Sequence, residues 1–248
     1  MNRERTLAQL RGQLAVSCQA YEDNPLYGTD NMVTLARCVL AGGARALRLC
    51  WPDAISRVRE LTDVPIIGIN KVMVHDGEGG FDALNDVYIT PTLSSAIQIA
   101  ETGCDVIALD GTGRPRPGGE RLEDIVAALR ERYPELVLMA DVATIEDGAR
   151  CAELGFDIVS STLSGYTEQT CDKDPDEPDF ELIAALKRET DCLVNGEGRI
   201  WNVEHLRRAW ECGADMVTIG SAITNPMKTT SYFLAHMTTV RADGKTRA

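Results

Sequence analysis

Four stretches of this chain are variants of one phrase, and that repetition restricts the fold more than any other feature. They are Ala-Gly-Gly43-Ala-Arg-Ala-Leu-Arg48-Leu, Thr-Gly103-Cys-Asp-Val-Ile-Ala-Leu-Asp110, Leu-Gly155-Phe-Asp-Ile-Val-Ser-Ser-Thr162 and Cys-Gly213-Ala-Asp-Met-Val-Thr-Ile-Gly220. Each reads as a helix end, a glycine just past it, then a strand. The glycines lie roughly 50 to 60 residues apart, too far for one strand–helix unit and right for two. The intervals hold the other strands, Pro65–Asn70, Leu136–Asp141 and Cys192–Gly196, with Leu14–Cys18 in front. Eight strands alternating with helical patterns predict parallel βα units. The expected fold class is α/β, a single (β/α)8 TIM barrel of the phosphate-binding type. Its one domain spans all 248 residues, and a barrel of this kind uses about 250.

The helical patterns are Met32–Leu40, Ile55–Leu61, Leu93–Glu101, Leu122–Arg132, Ile145–Leu154, Phe180–Glu189, Val203–Cys212 and Met227–Thr239. Thr144, Asp179 and Asn202 stand where helix N-caps belong. Leu7–Arg11 reads as a short helix covering the barrel floor. Val87–Thr90 has strand character, but Pro91 follows it and the Gly- and Asp-rich stretch His75–Asn85 precedes it. It is expected in a long loop after the third strand. Asp172–Asp179 reads as an exposed loop and Arg241–Ala248 as a frayed tail.

Composition narrows the function. Hydrophobic residues make up 44% and charged residues 25%, ordinary for a globular protein. No apolar run reaches the about 18 residues of a membrane helix, and the N-terminus has no apolar signal core. The expected location is the cytoplasm. A net charge of −13 argues against nucleic acid or an anionic membrane as partner. The eight cysteines form no CxxC pair and no zinc-like spacing with the three histidines. They are expected reduced and structural, with no metal among them.

In such a barrel the chemistry sits at the carboxyl ends of the strands. Those ends, in order, are Gln19, Arg48, Lys71, Asp110, Asp141, Thr162, Glu197 and Gly220-Ser221. Arg48 on an otherwise apolar strand is costly unless a ligand or carboxylate pairs with it. Asp110 caps or braces its following loop as readily as it contacts a ligand. Asp141 is freer, because Thr144 already caps the next helix. Lys71 ends an almost wholly apolar strand. A lysine desolvated beside other cations loses its proton near neutral pH and then serves as a base. With Glu197 in the same mouth, such a pair could exchange protons with opposite faces of a carbon next to a carbonyl.

The stretch Val194-Asn-Gly-Glu197-Gly198-Arg199-Ile200 ends a strand in two glycines around a carboxylate, and Gly220-Ser221 repeats the pattern one strand later. Glycines permit close backbone approach, and a short helix near Ala222 presents free N–H groups. Gly198, Arg199, Gly220 and Ser221 are therefore the expected phosphate site.

These residues resemble the N-acetylmannosamine-6-phosphate 2-epimerase family. The matching stretches are Val16–Ala20, Pro65–Ile69 with Lys71, Ile89–Thr92, Ala108–Thr112, Arg114-Pro-Arg-Pro117, Ala140-Asp141, Ser161-Thr-Leu-Ser-Gly-Tyr-Thr167, Glu197–Ile200 and Ile219–Thr224. The resemblance implies cofactor-independent interconversion of N-acetylmannosamine 6-phosphate and N-acetylglucosamine 6-phosphate in sialic acid catabolism. It implies Lys71 and Glu197 as catalytic residues, Gln19, Arg48, Asp141 and Thr162 at the sugar, and Gly198, Arg199, Gly220 and Ser221 at the phosphate. Departures are Val72 where a basic residue is usual, Cys50-Trp-Pro52 where a carboxylate is common, Gly196 for alanine, and the His75–Gly80 loop. Two other readings remain open. One is a different isomerase or decarboxylase acting on a small phosphorylated substrate, and the other is a phosphosugar-binding protein without catalysis. Tyr232, Phe233 and Leu234 on the last helix suit either a homodimer interface, which is the expectation, or packing on the barrel.

Overall fold

The structure is a computed structural model that describes residues 2–73 and 80–237. Eight parallel strands close on themselves: β1 (Leu14–Cys18), β2 (Ala46–Cys50), β3 (Ile66–Ile69), β4 (Val106–Asp110), β5 (Val137–Asp141), β6 (Ile158–Ser160), β7 (Leu193–Glu197) and β8 (Met216–Ile219), with β8 pairing back onto β1. The helices are α1 (Arg3–Leu10), α2 (Thr29–Ala41), α3 (Pro52–Arg59), α4 (Leu93–Ala100), α5 (Leu122–Arg132), α6 (Ile145–Glu153), α7 (Phe180–Glu189), α8 (Val203–Glu211), α9 (Ser221–Thr224) and α10 (Pro226–Ala235). This is the expected (β/α)8 barrel. The expected caps form: Thr144, Asp179 and Asn202 accept the N–H groups of Asp147, Leu182 and His205.

Strand alternation divides the apolar residues into two layers. On β5, Val137 and Met139 belong to the cluster inside the barrel, while Leu138 and Ala140 pack into the layer under the helices. Helix α1 closes the floor as expected. Its Leu10 is fully buried in the inner cluster, with Leu7 packed against it. Arg11, just past the helix, reaches Asp215 at 2.5 Å.

The repeated phrase has a physical cause. Its glycines, Gly43, Gly103, Gly155 and Gly213, all take positive φ, between 79° and 98°, past a helix end. In three of the four phrases an aspartate stands two residues further on. Asp105 accepts the N–H of Ile66 at 2.7 Å, Asp157 that of Leu138 at 2.8 Å, and Asp215 that of Val194 at 2.9 Å. Each carboxylate thus ties the start of the preceding strand, and each is neutralised by a helix cation: Arg59, Arg130 and Lys187 respectively. The first phrase carries Arg45 at that place.

Val87–Thr90 stays outside the eight staves, with one isolated antiparallel bridge, Lys71 to Ile89. Among the described residues no helix is long and apolar enough to cross a membrane. Expectations for His75 and its loop (Gly80 excepted), for the tail 241–248 and for the last two residues of the C-terminal helix lie outside the described residues.

Candidate active site

Arg48 rises from the middle of β2 into the barrel, 1% exposed. It meets the carboxylate it needs on the far side. Its Nη1 and Nη2 donate to Asp141 Oδ1 and Oδ2 at 2.9 and 2.6 Å, and Nη1 also reaches Glu197 Oε2 at 2.8 Å. Thr162 donates to Asp141 Oδ1 at 2.6 Å and lies 2.7 Å from Ser160 Oγ. Asn195 joins this network, donating to Ser160 Oγ at 2.7 Å and to Glu197 Oε2 at 3.1 Å, while Thr218 donates to its side-chain Oδ1 at 3.0 Å. Glu197 is held by one oxygen, and Oε1 meets no donor among the described residues. Burial pushes the Glu197 carboxyl up to about 7; Arg48 opposes the rise, Asp141 adds to it, and Lys71 and Asn195 oppose it. Arg48 remains a permanent cation, because Asp141 and Glu197 outweigh the burial that disfavours its charge.

Lys71, just past β3, points into the same cavity. Its Nζ donates to the Tyr21 hydroxyl and lies 4.9 Å from the Tyr21 ring centroid and 5.8 Å from that of Tyr88. Burial pushes the ammonium pKa down, but Tyr21, Tyr88 and the Cys50 thiol together drive it above the ordinary value. Lys71 thus rests as an ammonium. The expectation of a lysine made neutral by neighbouring cations does not hold, because aromatic hydroxyls and a thiol surround it.

The glycine turns line the same cavity. Gly198 has φ +105°, and a Cβ there would meet the Thr162 and Ser161 carbonyls at 3.7 and 3.8 Å. Gly220 precedes α9, whose first N–H groups have no intrahelical partner. Thr224 ties α9 to β1 through the Ser17 carbonyl at 2.6 Å. Arg199 lines the cavity, but its guanidinium turns to neighbouring loops. Nε donates to the Glu177 carbonyl at 2.6 Å and Nη1 to the Ser164 carbonyl. Lys228, exposed on the first turn of α10, is a lining cation that sequence reasoning missed. Gln19 also lines the cavity and donates to Ser17 Oγ at 2.6 Å.

Among the described residues, the non-glycine positions with positive φ are Arg199 (+56°), which lines the cavity, and Trp51 (+71°) and Thr90 (+47°), which hydrogen-bond to the backbone of Lys71 and Asn70. Backbone strain persists where the surroundings over-determine it, commonly at functional sites. Asp110 is fully buried and turned to its own loop. It accepts from Thr112 N and Oγ1 and pairs with Arg114 at 2.6 Å, so the Arg-Pro-Arg-Pro stretch braces its own loop. All eight cysteines are free thiols, and burial pushes Cys18, Cys104 and Cys151 up to about 12. Asn195 was findable from strand alternation, two residues before Glu197 on the same face. Tyr21 and Tyr88, in loops, carry no periodic signal.

Lys71, Glu197, Arg48, Gln19, Thr162 and both glycine turns line one cavity of about 300 Å³, with Asp141 behind Arg48. A family profile described as "Putative N-acetylmannosamine-6-phosphate epimerase" matches residues 32–239. Relatives bearing the name "Putative N-acetylmannosamine-6-phosphate 2-epimerase" include one from Clostridium perfringens, 40% identical over 224 residues, covering 90% of this chain and 96% of that one. Another, from Listeria monocytogenes, is 38% identical over 227 residues, 92% of each chain. A solved structure of the N-acetylmannosamine-6-phosphate 2-epimerase from Clostridium perfringens superposes with a TM-score of 0.85 at 38% identity, over 93% of this chain and 96% of that one. The chain belongs to the N-acetylmannosamine-6-phosphate epimerase family.

Proposed function

We propose that this protein is an isomerase that interconverts N-acetylmannosamine 6-phosphate and N-acetylglucosamine 6-phosphate by moving a proton at C2. The observation that carries the reading is the convergence of Lys71 and Glu197 on one cavity, with the Arg48–Asp141 pair beside them and two glycine turns in its lining. The names of the relatives support the substrate.

In the open-chain sugar C2 lies next to the C1 aldehyde, which acidifies its proton. A base takes that proton on one face and leaves an enolate whose charge rests on O1. An acid on the other face then protonates C2 and restores the aldehyde. Atoms and charge balance, and no redox step occurs. Glu197 has a free oxygen to accept a proton, Lys71 rests with one to give, and the two exchange roles in the reverse direction. Arg48 adds positive charge beside the developing enolate. Gln19 and Thr162 contact the sugar, with Asp141 holding Arg48 in place. The N–H groups around Gly198, Arg199, Gly220 and Ser221 take the phosphate, with Lys228 as a nearby cation.

The test is proton NMR in D2O with N-acetylmannosamine 6-phosphate. Product carrying deuterium at C2, lost in both Lys71→Ala and Glu197→Ala, is the expected result. Substrate that binds without exchange or conversion would overturn the reading. We further propose a cytoplasmic, single-domain protein that acts as a homodimer. The exposed Phe233, Leu234 and Met237 support that assembly, and light scattering that returns the monomer mass would refute it.

A further inference from the structure

We infer that Tyr21 is a positioning residue for Lys71, its hydroxyl holding the ammonium in the cavity so that Lys71 enters the reaction as the proton donor of the pair. The inference rests on the proposed epimerisation and assigns a role that Gln19, two residues earlier, does not fill.

Among the described residues, the Tyr21 hydroxyl is the acceptor that Lys71 Nζ meets. The 4.9 Å between Nζ and the centroid of that ring places the ammonium beyond the hydroxyl, at the ring's edge. The hydroxyl holds the cation by a charge-assisted hydrogen bond. A long lysine chain is otherwise free to swing among rotamers.

Tyr21 is itself fixed. Its ring meets Trp51 edge-on, centroids 6.2 Å apart at 89°, and Tyr27 closes on Trp51 in the same manner at 6.0 Å. Trp51 holds the other end of the contact as well. Its indole Nε1 donates to the Lys71 carbonyl at 3.2 Å, and its own backbone sits at φ +71° to bring the ring there. A single strained aromatic residue thus sets the ring of Tyr21 and the backbone of Lys71 against each other. The bridge from Lys71 to Ile89 and the Val72 N–H to the Tyr88 carbonyl at 3.0 Å complete the brace.

The nature of the acceptor decides the chemistry. A carboxylate in its place would hold the ammonium as an ion pair and compete for its proton. The Tyr21 hydroxyl accepts the hydrogen bond and favours the ammonium. The other titratable groups that act on Lys71 are Tyr88, the Cys50 thiol and, across the cavity, Glu197. Tyr88 reaches it through its ring face. Removing the Tyr21 hydroxyl therefore removes the hydrogen bond that favours the ammonium and leaves the other groups in place.

Tyr21→Phe keeps the ring and deletes the acceptor. The expected alkaline limb of kcat/KM moves down by about one pH unit and kcat falls about tenfold, with KM little changed. A readout independent of turnover is acetylation of Lys71 by acetic anhydride across pH, followed by mass spectrometry. Its midpoint in Tyr21→Phe moves down with the kinetic limb. An unmoved labelling midpoint and alkaline limb in Tyr21→Phe, with a raised KM instead, would show that Tyr21 only shapes the pocket and would overturn the inference. A midpoint that moves in an enzyme whose wild type never converts N-acetylmannosamine 6-phosphate would keep the contact and overturn the epimerase reading.

Discussion

Arg48 and Asp141, 93 positions apart in the chain, form a two-pronged ion pair in the centre of the barrel, with side chains 1% and 0% exposed. Arg48 cannot discharge, so its partner is obligatory. Asp141→Ala is expected to destabilise the fold by about 3–5 kcal/mol, the range for breaking a buried pair from one side. Asp141→Asn keeps the shape and the Thr162 contact geometry and costs less, yet it frees Arg48 to shift onto Glu197 and lowers kcat. Urea unfolding and steady-state kinetics on both variants check this, and wild-type stability in Asp141→Ala would refute it.

Glu197 supplies the pH dependence. Its carboxyl is pushed up to about 7, and its basic form accepts the proton. The acid limb of kcat/KM is therefore expected near pH 7, with a tenfold loss per unit below it. The stability consequence has the opposite sense. Between its unfolded value of 4.5 and about 7, the folded protein binds more protons than the unfolded chain, so this group's contribution to stability falls as pH rises through that window. Glu197→Gln should lose activity and raise the melting temperature more at pH 8 than at pH 5. A melting-temperature difference independent of pH would contradict the assignment.

The staves were readable in the sequence because parallel strands in this fold are buried on both faces, and their glycines mark each helix end. Arg48 announced its need for a partner, since a charge on an apolar strand must be paired. Which carboxylates would answer was not readable. Asp141 and Glu197 reach it only through barrel closure, which local pattern does not encode. Arg199 was legible as a rim residue but not in its orientation. Its positive φ turns the guanidinium toward loop carbonyls. Lys71 was found while its electrostatics were misjudged, because Tyr21, Trp51 and Tyr88 come from three loops whose meeting has no period to reveal it.

Gly165 shows how a loop glycine is tied to a distant side chain. It has φ +83°, and a Cβ on it would collide with the Arg199 guanidinium. That guanidinium holds the Ser164 and Glu177 carbonyls and lies over the Tyr166 ring at 5.6 Å. Gly165→Ala is expected to displace Arg199, loosen both loops beside the cavity and raise KM by about tenfold, with kcat changed less. Kinetics on Gly165→Ala and Arg199→Ala test the link. Two variants with unlike KM values and fully additive effects in the double variant would break it.

Asp157 on the barrel floor carries the same logic without any role in chemistry. Its Oδ2 accepts the Leu138 N–H at 2.8 Å and Arg130 at 2.7 Å, while Oδ1 accepts from Arg3. It ties β5 to the helix layer and to α1. Asp157→Ala strands a buried N–H and two cations, and a loss of about 2–4 kcal/mol is expected. Asp157→Asn retains an oxygen for Leu138 and should lose about half as much, since the hydrogen bond stays and the charge goes. The carboxyl-end rim lies at the opposite end of the strands, so kcat at 25 °C should stay within about twofold for both variants. Equilibrium urea unfolding beside kinetics decides the matter. Equal destabilisation by the two substitutions would mean that charge alone matters at this position. A loss of turnover at full stability would mean that the floor communicates with the site.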